Sequence, residues 1–142
     1  MQPMTARPAS PLLGTTVVPG DKSISHRALM LAASAVGESQ IEGLLEADDV
    51  LATAAALRAL GATIQREGRL WRVHGSGVGG WVEADRVLDL GNAGTGVRLL
   101  MGLVATTPIL SFFCGDASLS RRPMTRITDP LGQMGAQVWA RT

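Results

Sequence analysis

"GDKSISHRALM", residues 20–30, aligns without a gap to "GNAGTGVRLLM", residues 91–101. The glycine-to-arginine spacing is the same in both, Gly20 to Arg27 and Gly91 to Arg98. A second pair of segments also repeats, "LGATI" at 60–64 matching "MGAQV" at 134–138. Self-similarity at a period near 71 positions, the distance from Gly20 to Gly91, means that one supersecondary unit has been used twice.

Working outward from the two glycines gives the unit its elements. Residues 15–18 are β-branched and short and predict a strand. Residues 25–36 are apolar on most faces and predict a buried helix closed by Gly37. Residues 40–43 predict a strand. Asp48 is a candidate N-cap for a helix running to Leu60, with Gly61 just beyond its end. Residues 63–66 and 70–74 alternate about Glu67-Gly68 and predict a hairpin. The second copy then repeats the order: strand at 87–90, helix at 93–105, strand at 109–114, helix at 124–134 interrupted near Pro130 and closed by Gly135, strand at 137–140. The unit reads βαβαββ, so the fold class is α/β (α+β). The organisation expected is a Pro-rich lead-in over 1–14, a first unit over 15–80 and a second over 81–142. The second copy lacks its last strand, and an unpaired edge is a liability. The chain therefore reads as a fragment of a longer protein.

Composition narrows the function. Hydrophobic residues are 46% and charged residues 18% of 142, which argues for a folded chain with its own core. A net charge of +1 and only 4% aromatics speak against nucleic acid as the partner. No run approaches the roughly 18 apolar residues of a membrane span, and no apolar segment near the start suggests a signal peptide. The single cysteine, Cys114, cannot form an internal disulfide, so a cytoplasmic location is the expectation.

The chemistry gathers at the helix starts. Lys22 is the only lysine among thirteen basic residues. It follows Gly20-Asp21 where a strand passes into a helix, and a helix N-terminus offers free amides and a positive dipole to an anion. Ser23 adds a hydroxyl, and Arg27, four residues on, shares its face. A capped surface helix is the plainer alternative. A P-loop does not fit, because Asp21 separates glycine from lysine and Gly14 is one position too far. In the second copy "LGNAGTGVR" provides small residues that allow close backbone approach, with Asn92 and Thr95 as donors. "GDASLSRRPM", residues 115–124, is a polar loop in which Arg121 and Arg122 precede Pro123, and arginine forks suit carboxylate and phosphate oxygens. Asp48 and Asp49 are candidate carboxylates, although capping accounts for Asp48. His26 reads as a packed, partnered histidine rather than a base, and His74 as surface. Cys114 reads as a small buried residue at a strand end. No His/Cys/Asp cluster has metal-ligand spacing.

Taken together, "PGDKSISHRAL", "LGNAGTGVRLLMGL" and "GDASLSRRPM" closely resemble the EPSP synthase family of enolpyruvyl transferases, over about residues 17–138. The resemblance implies a two-domain enzyme of βαβαββ units in the inside-out barrel arrangement, with the 1–14 segment contributed to the opposing domain. It implies transfer of the enolpyruvyl group of phosphoenolpyruvate to the 5-hydroxyl of shikimate 3-phosphate, releasing phosphate through a tetrahedral intermediate. No metal or organic cofactor is implied. The implied setting is the shikimate pathway to chorismate and aromatic amino acids, in a cytoplasmic monomer, with glyphosate as inhibitor.

By that resemblance Lys22 touches both substrates and Ser23 and Arg27 hold shikimate 3-phosphate. Asn92, Ala93, Gly94 and Thr95 form the phosphate turn for phosphoenolpyruvate, which Arg122 also binds; Lys22 and Arg122 are the catalytic candidates. Lysine is suited to proton handling, or to a mobile point charge beside phosphate, in a way arginine is not. "LMGLV" and "GDASLSRRPM" look like the form associated with glyphosate tolerance. Position 94 nonetheless holds glycine where tolerant relatives often carry alanine, which predicts a sensitive pocket unless Gly96 or Leu99 reshapes it. Leu99 stands where many relatives have proline. The aspartate usually assigned as base, with a glutamate and further basic residues, is expected in the opposing domain. Two alternatives stand beside this reading. One is a relative of the UDP-N-acetylglucosamine enolpyruvyl transferase, whose Lys-Asn signature is absent at Lys22-Ser23. The other is a non-catalytic phosphate-binding module.

Overall fold

The computed structural model describes residues 4–8, 10–11 and 13–140. Its first half is a three-stranded antiparallel sheet with two helices. Helix α1 runs Lys22–Ser34, strand β1 Val36–Glu42, helix α2 Asp48–Ala59, strand β2 Thr63–Glu67 and strand β3 Leu70–Ser76. The spatial order is β1-β3-β2, with Val73 facing Ser39 on one side and Ile64 on the other. The second half carries strand β4 Leu88–Asp89, helix α3 Gly94–Val104, strand β5 Phe113–Cys114, a single 3-10 turn at Leu119–Arg121 and helix α4 Thr125–Gln133. Strands β4 and β5 pair in parallel, Leu88 with Phe113, on either side of α3.

Local chemistry explains the elements. The Asp21 carboxylate accepts the Ile24 amide at 2.8 Å and caps α1. Ser25, Leu29 and Ala32 repeat at helical spacing, with His26, Met30 and Ala33 beside them, and this stripe is buried. In β3 the buried residues Trp71 and Val73 alternate with more exposed neighbours, as a half-covered strand requires. Val50, Ala54 and Leu57 of α2 are fully buried, and so is Leu60 just past its end. Helix α2 touches α1 and β2 in the first half and α3 and β4 in the second, and so links the two halves of the core. Fully burying one such leucine stabilises the fold by about 1.5–3 kcal/mol.

The mixed α/β class holds, and several boundaries differ from expectation. Helix α1 begins three residues earlier than the apolar pattern suggests, because Asp21 rather than a hydrophobic residue sets its start. Ala47, not Asp48, occupies the N-cap of α2, and both Asp48 and Asp49 lie in its first turn. Gly61 takes φ +103° after α2, the left-handed turn expected there. Residues 15–18 are not a strand: no neighbour pairs with them, and Val17 and Val18 stay exposed. Residues 137–140 are likewise unpaired, with Trp139 exposed. β-branched composition favours a strand only where a ladder partner exists. The strand expected at 109–114 shrinks to Phe113–Cys114, and α4 continues through Pro130. Cys114 is exposed, not buried. Helix α3 runs unbroken through Leu99.

Candidate active site

The first helix start is arranged around Lys22. The first intrahelical bond of α1 is from the Ser25 amide to the Asp21 carbonyl, 2.9 Å. Asp21 also takes the Ile24 amide. The amides of Lys22 and Ser23 therefore precede the helical ladder and are the ones open to an anion. Lys22 Nζ lies 2.9 Å from Asp49 Oδ2 on α2. Half of the lysine side chain is exposed, so this ion pair is worth about 0–1 kcal/mol and yields readily to a ligand. Arg27 donates to the Ser23 carbonyl one helical turn back at 3.0 Å. Ser25 braces the start from below: its hydroxyl donates to the Asp21 carbonyl at 2.7 Å and accepts the Leu45 amide at 2.9 Å.

The second helix start is more enclosed. Ala93 and Gly94 are buried, Thr95 is half-buried and Asn92 is exposed. The Gly94 amide bonds to the Asn92 carbonyl at 2.7 Å, and the ladder of α3 starts with Val97 to Ala93 at 2.9 Å. Arg122 donates to the Asn92 side-chain oxygen, and to Ser118 Oγ at 3.3 Å. Arg98 donates to the Gly94 carbonyl at 2.9 Å and to the Pro123 carbonyl at 3.3 Å, fastening the arginine loop to α3. A side chain on Gly94 would run into Arg122 Nη1 and lie 3.0 Å from Arg98 Nη1. The turn is thus the floor under two guanidinium groups. Burial and the nearby charges of Arg126 and Arg122 push the Arg98 pKa down, which is how a cluster awaiting negative charge behaves.

Asp116 holds this second group together and is not among the residues the sequence singled out. Its Oδ1 accepts the Leu119 amide at 2.7 Å and its Oδ2 accepts from Asn92 Nδ2 at 2.8 Å, while its amide bonds to the Gly91 carbonyl at 2.9 Å. The Leu119 amide, aided by Asn92, holds its carboxyl below the usual carboxylate range. An aspartate three residues before a backbone donor is a turn signature, so "GDASL" carried that signal. Arg121 is exposed. Partial desolvation of the exposed Cys114, and then Asp89, push its thiol pKa up, which disfavours the thiolate. His74 is exposed, as expected, and no group of three or more His, Cys, Asp or Glu among the described residues could hold a metal.

The two groups belong to equivalent positions of the repeat and meet through the helices that carry them. Lys22 pairs with Asp49 and Arg122 with Asn92; among the described residues no hydrogen bond links one group to the other. Instead α1, α2 and α3 pack together behind them. The result is a mixed α/β chain with a basic helix start in each half.

That class has a family. The family model for EPSP synthase (3-phosphoshikimate 1-carboxyvinyltransferase) matches residues 6–142, and the chain belongs to that family. It is 64% identical over 140 residues to the 3-phosphoshikimate 1-carboxyvinyltransferase of Paracoccus denitrificans, covering 98% of this chain and 32% of that one. It is 61% identical to the corresponding protein of Paramagnetospirillum magneticum, over 99% of this chain and 32% of the relative. Among solved structures it is similar to EPSP synthase from Acinetobacter baumannii, with TM-score 0.82 and 45% identity, covering 87% of this chain and 28% of that one. The chain spans about a third of the length of the curated relatives it matches.

Proposed function

We propose that this chain is the part of a 3-phosphoshikimate 1-carboxyvinyltransferase that supplies one side of its substrate site. The observation that carries the reading is the second helix start, where the guanidinium groups of Arg122 and Arg98 stand over the buried glycine of the turn and Arg122 donates to Asn92. In this reading the phosphate of phosphoenolpyruvate sits on the turn Asn92, Ala93, Gly94 and Thr95 beneath Arg122. Ser23 and Arg27 hold shikimate 3-phosphate at the first helix start. Lys22 stands beside both substrates, leaving Asp49 as they arrive.

The reaction adds the 5-hydroxyl oxygen to C2 of the enol while C3 gains a proton, then expels phosphate as C3 loses one. Charge builds on the phosphate and carboxylate oxygens, so donors fixed in advance lower the barrier. Lys22 and Arg122 supply those donors from this side. The opposing domain, to which residues 1–14 would contribute, supplies the carboxylates that move protons. Units 15–80 and 81–142 are the two copies that build this half, and no metal or organic cofactor is required. The full-length protein is read as a cytoplasmic monomer, and glyphosate as an inhibitor at the phosphoenolpyruvate turn. No helix among the described residues is long and apolar enough to cross a membrane.

The test is phosphate release by the full-length protein that contains this chain. Turnover should require both substrates and should fall at least about a hundredfold in Arg122→Ala, the scale of losing one preorganised oxyanion donor. Turnover with either substrate alone, or undiminished in Arg122→Ala, contradicts the reading.

A further inference from the structure

Beneath the Lys22–Asp49 ion pair lies a second, buried link between the same two helices. His26 is one helical turn after Lys22, and Thr53 is one turn after Asp49. Both are fully buried, and His26 Nδ1 lies 2.8 Å from Thr53 Oγ1. The threonine hydroxyl also lies 3.2 Å from the Asp49 carbonyl. The histidine's tautomer sets which way the hydrogen between Nδ1 and Oγ1 points. Helix α3 reaches this joint through Gly96: a Cβ there would lie 2.7 Å from Thr53 Oγ1 and 3.3 Å from His26 Cε1. Gly96 stands two residues after Gly94, in the first turn of α3.

We propose that Thr53, oriented by His26, is a positioning residue for the phosphoenolpyruvate turn. Its hydroxyl fixes how closely the start of α3 approaches α1 and α2, and so where Gly94 and its amides stand relative to Lys22. The role rests on the functional reading above. It differs from simple core packing in one respect. Ser23 and Arg27 belong to α1 alone, whereas the turn at residues 92–95 takes its place from the joint. A methyl in place of the hydroxyl is larger and cannot hydrogen-bond to Nδ1, so α3 moves outward while α1 keeps its own contacts.

The test is steady-state kinetics of the full-length enzyme containing this chain, as wild type, Thr53→Val, Thr53→Ser and Gly96→Ala. Thr53→Val should raise KM for phosphoenolpyruvate about tenfold, in the range expected for a sub-ångström to ångström displacement. KM for shikimate 3-phosphate should stay within about twofold, since loss of folded enzyme lowers kcat without separating two KM values. Thr53→Ser, which keeps the hydroxyl, should return the phosphoenolpyruvate KM to within about threefold of wild type. An unchanged phosphoenolpyruvate KM in Thr53→Val, an equal rise in both KM values, or a serine variant as poor as valine overturns the role. If Thr53→Val does not fold, Gly96→Ala decides, because its methyl presses the same joint from the α3 side; an unchanged phosphoenolpyruvate KM there overturns it equally. A wild-type enzyme with no turnover defeats the functional reading itself, and the positioning role with it.

Discussion

At Gly94 the space for a side chain is already taken. The obstructing atoms are the far ends of Arg122 and Arg98, which can swing aside, and the backbone is ordinary helix, so Gly94→Ala should fold. Its methyl would displace Arg122 from above the turn. In the proposed function glyphosate binds at this same turn, and the crowding should weaken it more than phosphoenolpyruvate. We expect its inhibition constant to rise about tenfold or more against a few-fold rise in the phosphoenolpyruvate KM. Parallel inhibition and substrate titrations check this, and equal losses contradict it. Asp116→Ala removes the acceptor that orients Asn92 and the one that caps Leu119. It should raise the phosphoenolpyruvate KM several-fold and leave binding of shikimate 3-phosphate unchanged, read by kinetics and titration. Individual residues were legible in the sequence where they sit at helix starts, because Lys22, Arg27 and Asn92 are placed by local rules of spacing. Asp49 as the partner of Lys22, and Asp116 as the partner of Asn92, were not, because each pair closes across more than twenty residues.

Between elements, the joint of α1 and α2 gives the fold a pH signature. Burial is the largest influence on His26 and lowers its pKa below the ordinary 6.5; Lys22 and Arg27 push the same way, and Asp49 opposes. The unfolded chain therefore binds a proton that the native chain refuses in the window below 6.5. Stability rises with pH through that window and is lost as pH falls through it. Thermal unfolding from pH 7.5 to pH 5.5 should show a falling midpoint, and the fall should be smaller in His26→Gln. An identical fall in both would place the titration elsewhere. Leu57→Ala, which empties a fully buried position at the centre of α2, should cost about 2–5 kcal/mol by denaturant unfolding. Helices and the hairpin were legible here because their signals are local: the apolar run of α1, Gly61 as stop, Glu67-Gly68 as turn. The outer strands at 15–18 and 137–140 were not. A strand is defined by its neighbour, and the neighbour is missing among the described residues.

Across the whole molecule, the two matched sequence segments at 20–30 and 91–101 each fall at a helix start, and three helices pack behind those starts. The chain covers about a third of its relatives' length, and in the proposed function an opposing domain supplies the remaining donors and carboxylates. We expect the 142-residue chain alone to bind ligand weakly and to release no phosphate catalytically; sustained release by the purified chain would contradict this. The central claim is that the first helix start holds shikimate 3-phosphate and the second holds phosphoenolpyruvate. The most direct measurement is calorimetric titration of the full-length protein with shikimate 3-phosphate, as wild type, Lys22→Ala and Arg122→Ala. The account predicts saturable binding by wild type and by Arg122→Ala, and its loss in Lys22→Ala. Wild-type affinity in a folded Lys22→Ala protein, or loss of binding in Arg122→Ala, would contradict it.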